Sequence, residues 1–412
     1  MAARYDIAIA GAGPAGLAMA IYLRRAGHRV TIFETFEAAA PVGSGLMLQP
    51  TGLSVLDDLG LLDAIVKRGS RIDRLRGTDA ASGRIVLDVR YGALGKGRFG
   101  LGVHRAALFG VLHDAALGAG AALETNREVA GLAGDAGRAR LVFASGARSA
   151  GFDLVVDASG ANSVLRHALG EIVAVRPLAY GAWWATLDWR GEGFDTAALL
   201  QRYRHASVMI GVLPIGRPVP GAGEQAAFFW SLKPAEADAT RAAGLDAWKA
   251  RVAGLWPQCA AYLDQIGGFE QLTLARYGHH TLMRPAGQRL AVIGDAAHST
   301  SPQLGQGANM ALLDVRALTH ALATRATLDE ALDAYVAMRR RHVRLFQALS
   351  FALTPFYQSD SRLLALVRDR LVAPLAGVAP IQRFLASMVS GTLVDPFAPT
   401  GLQETDWRKI VH

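Results

Sequence analysis

Between Tyr5 and Glu34 the order of apolar and polar positions predicts three elements in succession. "DIAIA" is a short apolar run of the kind a buried strand makes. A turn through Gly11, Gly13 and Gly16 follows, and "PAGLAMAIYLRRAG" continues as an Ala- and Leu-rich helix that Gly27 ends. "RVTIFE" supplies a β-branched second strand with Glu34 at its end. Strand, helix and strand together make a βαβ unit.

The middle of the chain keeps a different rhythm. "AYGAWWATLDW" (Ala179 to Trp189), "SVMIGVLPIG" (Ser207 to Gly216) and "QAAFFWSLK" (Gln225 to Lys233) read as strands joined by Gly- and Pro-containing turns. In the first of them Tyr180, Ala182, Trp184 and Thr186 share one face, and Gly181, Trp183, Ala185 and Leu187 the other. One face can then line a ligand while the other packs. Trp184 and Phe229 are the substrate-facing candidates, against the plainer reading that they are core aromatics.

Further on, "RLAVIGDAAH" is a short apolar strand ending at Gly294, and "SPQLGQGANMALLD" is a loop with Gly305 and Gly307 that leads into a helix. Helical periodicity then runs to the end of the chain. "AYVAMRRRHVRLFQALSFAL" sets Arg339, Arg340, Arg341 and Arg344 beside an apolar face, and "SRLLALVRDRLVAPLAGVAP" is amphipathic up to its prolines. These helices suit a cap on a larger domain or a dimer contact, with an anionic membrane surface as the alternative.

The two glycine loops carry the candidate chemistry. Gly11 permits a tight turn, Gly13 lets the backbone approach a pyrophosphate, and Gly16 lets the helix pack on the sheet, with the helix N-terminus facing the phosphates. Glu34, about twenty residues on, stands where an acid accepts hydrogen bonds from an adenosine ribose. A glycine triplet alone would be a weak sign, but here strand, helix, second strand and acid are all in place. Asp295 stands where an acid can meet a ribityl group, and the loop around Gly305 and Gly307 offers backbone N–H groups to a second part of the ligand. NAD in the βαβ unit would not need a loop so remote in sequence, whereas an extended FAD would. A structural turn before a helix is the alternative.

Composition narrows the rest. At 412 residues, 51% hydrophobic and 19% charged, the chain can bury two domains or one large domain with an insertion. The net charge of +8 is spread along the chain without a basic stripe interleaved with aromatics, which argues against nucleic acid. A single cysteine, Cys259, excludes an intramolecular disulfide and a Cys-based zinc site, and fits a reducing cytoplasm. The N-terminal stretch has neither the build of a signal peptide nor that of a membrane span, so a soluble protein is expected. His279 and His280 have no third ligand at useful spacing and are not read as a metal site.

In order along the chain, these segments resemble the single-component FAD-dependent aromatic hydroxylases related to 4-hydroxybenzoate hydroxylase. "GAGPAG" with Glu34 is similar to the family's adenosine motif and implies cofactor contacts at Gly11, Gly13, Ala15 and Gly16. "PVGSGLMLQPTGLSVLDDLGL", Pro41 to Leu61, resembles the segment passing the flavin and points to Gly45 and Leu46. "GVHRAALFGVL" resembles the helix start whose arginine, here Arg105, meets the phosphate or ribityl region. "DLVVDASGANSVLR", Asp153 to Arg166, resembles the central motif, and "GDAAHSTSPQLGQGAN" the ribityl and flavin motif, which implicates Asp295, Gly305, Gln306, Gly307 and Asn309, with Pro302 supporting the flavin loop.

Two departures stand out. The family has Gly-Ala-Asp-Gly where this chain has Asp157, Ala158, Ser159 and Gly160, so Asp157 is expected to supply the missing charge from two residues away. Thr35 stands where an arginine often follows the acid. His298 follows the motif acid and is read as shaping the loop rather than taking part in the reaction, and Cys259 as a small core residue.

The resemblance implies an α/β fold. Residues 1–72, 99–172 and 276–330 would form a discontinuous Rossmann-like FAD-binding domain, 73–98 and 173–275 an inserted β-sheet substrate domain, and 331–412 a C-terminal helical region. It implies noncovalent FAD, NADH or NADPH as a transient co-substrate, and O2, with an electron-rich aromatic hydroxylated through a flavin C4a-hydroperoxide and no acid-base triad. The protein would act as a monomer or homodimer. The rival readings are an FAD-dependent dehydrogenase or reductase without oxygenation, and a quinone-biosynthesis-type hydroxylase of a lipidic phenol, which the C-terminal tail somewhat resembles.

Overall fold

A computed structural model describes residues 4–38, 44–135, 137–171 and 174–410. The βαβ unit forms as the pattern predicts: β1 (Asp6–Ala10), α1 (Pro14–Arg25) and β2 (Arg29–Phe33). Pro14 starts the helix where its missing N–H costs nothing. Strands β1 and β2 lie in a six-stranded sheet whose order is Ala286–Gly287, Leu290–Val292, Leu154–Asp157, β1, β2, Ala122–Glu124. All its pairings are parallel except that of the first two strands.

One face of this sheet is covered by α1 and the helices Arg105–Gly118 and Gly307–Thr324, which share its largest apolar core. The hairpin Val129–Asp135 and Arg138–Phe143 packs on the other face with Phe152 and Leu165. Both faces of the parallel strands are therefore buried, which explains why they read as unbroken apolar runs.

A second sheet has seven strands, in the order Thr273–Ala275, Gly181–Asp188, Gln225–Leu232, Val208–Gly216, Ala198–Arg204, Arg74–Asp79, Ile85–Arg90. Helices between Ala237 and Leu263 cover its outer face around Trp183, Trp248 and Cys259. Its inner face meets β3 (Gly45–Leu48): Met47 packs with Leu213, Ile215 and Ala227. The helices Leu328–Tyr357 and Ala379–Ser390 close the remaining side. No single helix among the described residues is long and apolar enough to cross a membrane; Arg362–Leu375 with Ala379–Ser390 passes that test only as a pair bent by 114°.

Candidate active site

Parallel pairing brings four sequence-remote segments to one edge. Phe33, Ala10, Asp157 and Val292 are register partners across β2, β1 and the next two strands. The residues that follow them, Glu34, Gly11, Ala158 and Ile293, with Gly294 next after Ile293, therefore emerge side by side beyond the strand ends. Open α/β sheets bind their ligands in this place.

The glycines there answer to different demands. Gly11 has φ +101°, and a Cβ on it would stand 2.7 Å from the Ala158 carbonyl oxygen. At Gly16 a Cβ would stand 2.0 Å from the Gly11 oxygen, so helix and turn need its absence to touch. Gly13 faces open space, with no atom within 4 Å of an added Cβ. Close packing excludes a side chain at two positions and leaves the third clear for a ligand. Gly13→Val should hold stability within about 1 kcal/mol while weakening FAD binding roughly 10- to 100-fold, the 1–3 kcal/mol cost of crowding a filled contact. Gly16→Val should lose about 3 kcal/mol or more of stability. Urea unfolding and FAD fluorescence titration separate the two, and equal destabilisation would refute the assignment.

Glu34 turns its carboxylate back onto this loop, accepting the Ala12 N–H at 2.6 Å and that of Thr35 at 2.7 Å. Neither bond uses up the carboxylate's lone pairs, and its outer side remains open to a hydroxyl donor. Arg105 begins the helix Arg105–Gly118, exposed and without a hydrogen bond or ion pair to any described residue.

Gly294 is held on the opposite side of the cleft. Its φ of +61° suits glycine, and a Cβ there would meet Ala311 at 2.9 Å and come within 4.0 Å of Ala15, which follows the first glycine turn. Asp295 is exposed, and a Cβ at Gly307 would lie 3.5 Å from its Oδ1. Behind them is a buried ionic group. Asp314 accepts the Gly294 N–H at 2.9 Å and pairs with His298 Nε2 at 2.6 Å and Arg339 Nε at 2.7 Å. Burial alone would raise the Asp314 pKa, but the imidazole and guanidinium outweigh it and hold the carboxyl well below the usual range.

On the sheet side Trp184 and Phe229 are register partners with ring centroids 4.7 Å apart. Trp184 Nε1 donates to the Tyr277 hydroxyl at 2.8 Å. Pro302 stands exposed at the start of the short turn Pro302–Leu304, and Gly305 follows it with φ +60°. His279 is half-buried, and His280 contacts Arg166 and the Ala296 carbonyl. Among the described residues no group of histidine, cysteine or carboxylate side chains is placed to hold a metal ion.

A family model described as an FAD binding domain matches residues 4–350. The 3-amino-4-hydroxybenzoate 2-monooxygenase of Streptomyces cremeus is 30% identical over 346 residues, covering 81% of this chain and 82% of that one. The chain belongs to the FAD-dependent aromatic hydroxylases. The 6-hydroxynicotinate 3-monooxygenase of Bordetella bronchiseptica is 28% identical over 79% of this hydroxylase and 84% of its own length. Klebsiella pneumoniae HpxO, solved with FAD and uric acid, shares the fold with a TM-score of 0.79 at 20% identity, covering 94% and 97% of the two chains.

Several residues expected to touch the cofactor of this hydroxylase are engaged elsewhere. The Asp157 carboxylate is fully buried and accepts the Ser159 N–H at 3.0 Å, the Ser159 hydroxyl at 2.6 Å and the Ser163 hydroxyl. It braces the turn from inside, and burial raises its pKa. The expectation that it lends its charge to the cofactor is therefore corrected: the chain leaves its strand at Asp157, and the side chain points under the turn. Gly45 is explained by packing, since a Cβ would stand 2.3 Å from Ile215 Cγ2 and 2.9 Å from Ala227.

Asn309 is spent on Gln49 N–H, Met47 O and Gly305 O, clamping β3 to the flavin loop. The Gln306 amide donates to Val389 O, and so faces the C-terminal helices rather than the cleft. Leu46, on β3, is partly exposed. Pro41 to Gly43, at the head of the segment expected to pass the flavin, lie outside the described residues.

Sequence reasoning missed Asp314 and misread Arg339. The row of arginines predicted a basic face; Arg340, Arg341 and Arg344 are exposed, but Arg339 points inward and is 2% exposed. The available signal was an acid in the apolar run "ANMALLDV", since a buried carboxylate demands a partner.

Proposed function

We propose that this protein is a monooxygenase that binds FAD noncovalently across the four loops, uses NAD(P)H and O2, and hydroxylates a small aromatic compound. The observation that carries the reading is the clear space at Gly13, next to the loop onto which Glu34 turns, together with an Arg105 and an Asp295 that are both exposed. The residues present suit a dinucleotide with a flavin at its far end. Glu34 would take the adenosine ribose, the Gly11–Gly16 turn the pyrophosphate, Arg105 its charge, and Asp295 a ribityl hydroxyl. When bound, FAD supplies the electron transfer and oxygen activation.

The chain's own work is to position and enclose. The inner face of the seven-stranded sheet, with Trp184 and Phe229, would orient the aromatic ring and exclude water, while the turn from Pro302 to Gly305 presents backbone toward the same space. The reaction so read needs no acid-base triad. Only one full dinucleotide fingerprint is present, so the nicotinamide cofactor would visit transiently. The cytoplasm fits a chain with one buried cysteine.

The test is purification followed by a screen of aromatic compounds for stimulated NAD(P)H oxidation under 18O2. Incorporation of one 18O atom into product is expected. A yellow protein that oxidises NAD(P)H and passes the two electrons to a C–C double bond of its substrate, without 18O uptake, would overturn oxygenation in favour of reductase chemistry.

A further inference from the structure

Resting on that reading, the sheet face specifies the class of substrate. Trp184, Phe229, Gly211, Gln201 and Gly77 are consecutive register partners across five strands. Both glycines make room for rings: a Cβ at Gly211 would stand 2.0 Å from Phe229 Cζ, and one at Gly77 2.4 Å from Tyr203 Cε2. The rings therefore lie flat over the backbone, paving the face with aromatic surface.

Alternate residues within 75–77, 182–186, 199–203, 209–213 and 227–231 project onto the same side as this row, and none of them is charged. Arg202 projects from the opposite face, with its guanidinium 4.8 Å from the Trp256 ring centroid. One buried cation lies over the Tyr203 end of the same side: Arg368 sits 5.1 Å from the Tyr203 ring centroid and 5.3 Å from that of Tyr357, and its Nε, Nη1 and Nη2 each donate, to Asp369, Phe356 O and His205 O. A carboxylate laid on this row would lose its water and find no charged partner among the row's own residues, which is unfavourable.

One polar group remains to be used. Gln201, 6% exposed, accepts the Tyr203 hydroxyl at 3.0 Å through Oε1, while its Nε2 has only the Met209 sulfur at 3.4 Å. A thioether is a weak acceptor, so an oxygen on a ligand would be a better partner for this amide.

We infer that the seat takes an uncharged aromatic bearing a hydroxyl or keto oxygen, held by the Trp184–Phe229 face and the Gln201 amide, and discriminates against aromatic carboxylates. Matched probes test this on the FAD-loaded protein without turnover: phenol against 4-hydroxybenzoate, and 2-hydroxypyridine against 6-hydroxynicotinate, with methyl 4-hydroxybenzoate as a control for size. Affinity is read from tryptophan fluorescence. Each neutral member should bind at least about tenfold more tightly than its carboxylate, with the methyl ester siding with phenol. Gln201→Leu should weaken the neutral probes about three- to tenfold, and Gln201→Arg should favour the carboxylates.

Equal affinities, tighter carboxylates, or no binding of the neutral probes would overturn the inference. Because binding is measured directly, absence of 18O uptake would count against the proposed reaction and not against the seat.

Discussion

Asp314→Ala is expected to lower unfolding stability by about 3–5 kcal/mol, the usual cost of breaking a buried ion pair by removing one partner. The carboxylate is fully buried and is shared by His298, Arg339 and the Gly294 N–H. Removing it strands a guanidinium that is 2% exposed and a buried backbone donor. Asp314→Asn keeps an acceptor for Gly294 but loses the charge, and should fall between the two. Urea unfolding at pH 7 measures both, and a loss below about 1 kcal/mol would show that water or rearrangement replaces the carboxylate.

The sign of the pH dependence follows from the lowered pKa. Because the folded protein holds this carboxyl below its unfolded value of about 3.9, its contribution is present in full above that value. It is lost as pH falls through the folded value. The gap between wild type and Asp314→Asn should therefore be constant near neutrality and shrink below about pH 4.

Asp295→Ala should do the reverse, leaving the fold intact and weakening the cofactor. Its side chain is exposed, so stability should stay within about 0.5 kcal/mol. Yet it stands beside Gly307 and directly after the Gly294 turn, near Ala15 of the first glycine loop. A charge-assisted hydrogen bond to a ribityl hydroxyl is worth about 1.5–3 kcal/mol, which is roughly a 10- to 150-fold rise in the Kd for FAD. FAD fluorescence titration of the apoprotein reads that change directly. An unchanged Kd alongside an unchanged melting curve would place the ligand elsewhere.

Asp295 and Asp314 are both acids of the segment that follows the strand Leu290–Val292, and they show where sequence reading ends. Asp295 could be singled out because a short apolar strand, a glycine and an acid form a local pattern that backbone geometry enforces within a few residues, and the structure leaves it exposed beside Gly307. The same holds for Gly11, Gly13 and Gly16: the demands of the turn and of helix packing act between neighbours. The alternating strands around Trp184 and Phe229 were legible for the same reason, since period two is a property of the strand itself.

Sequence by itself therefore determined the elements, the βαβ unit, the segments that belong to a dinucleotide site and the aromatic face of the second sheet. What each side chain meets was decided only by the tertiary structure. Parallel register set Glu34, Gly11, Ala158 and Ile293, the residue before Gly294, side by side, although they are far apart along the chain. The sharp turn after Asp157 buried that carboxylate under Ser159 and Ser163, whereas a straight extension would have aimed it at the ligand. Packing of the helix Leu328–Tyr357 against Gly307–Thr324 drew Arg339 inward from a face that reads as basic. The physical reason is one of range: periodicity says which face of an element is buried, but a buried charge or amide is satisfied by whichever partner the packing of distant elements brings to it.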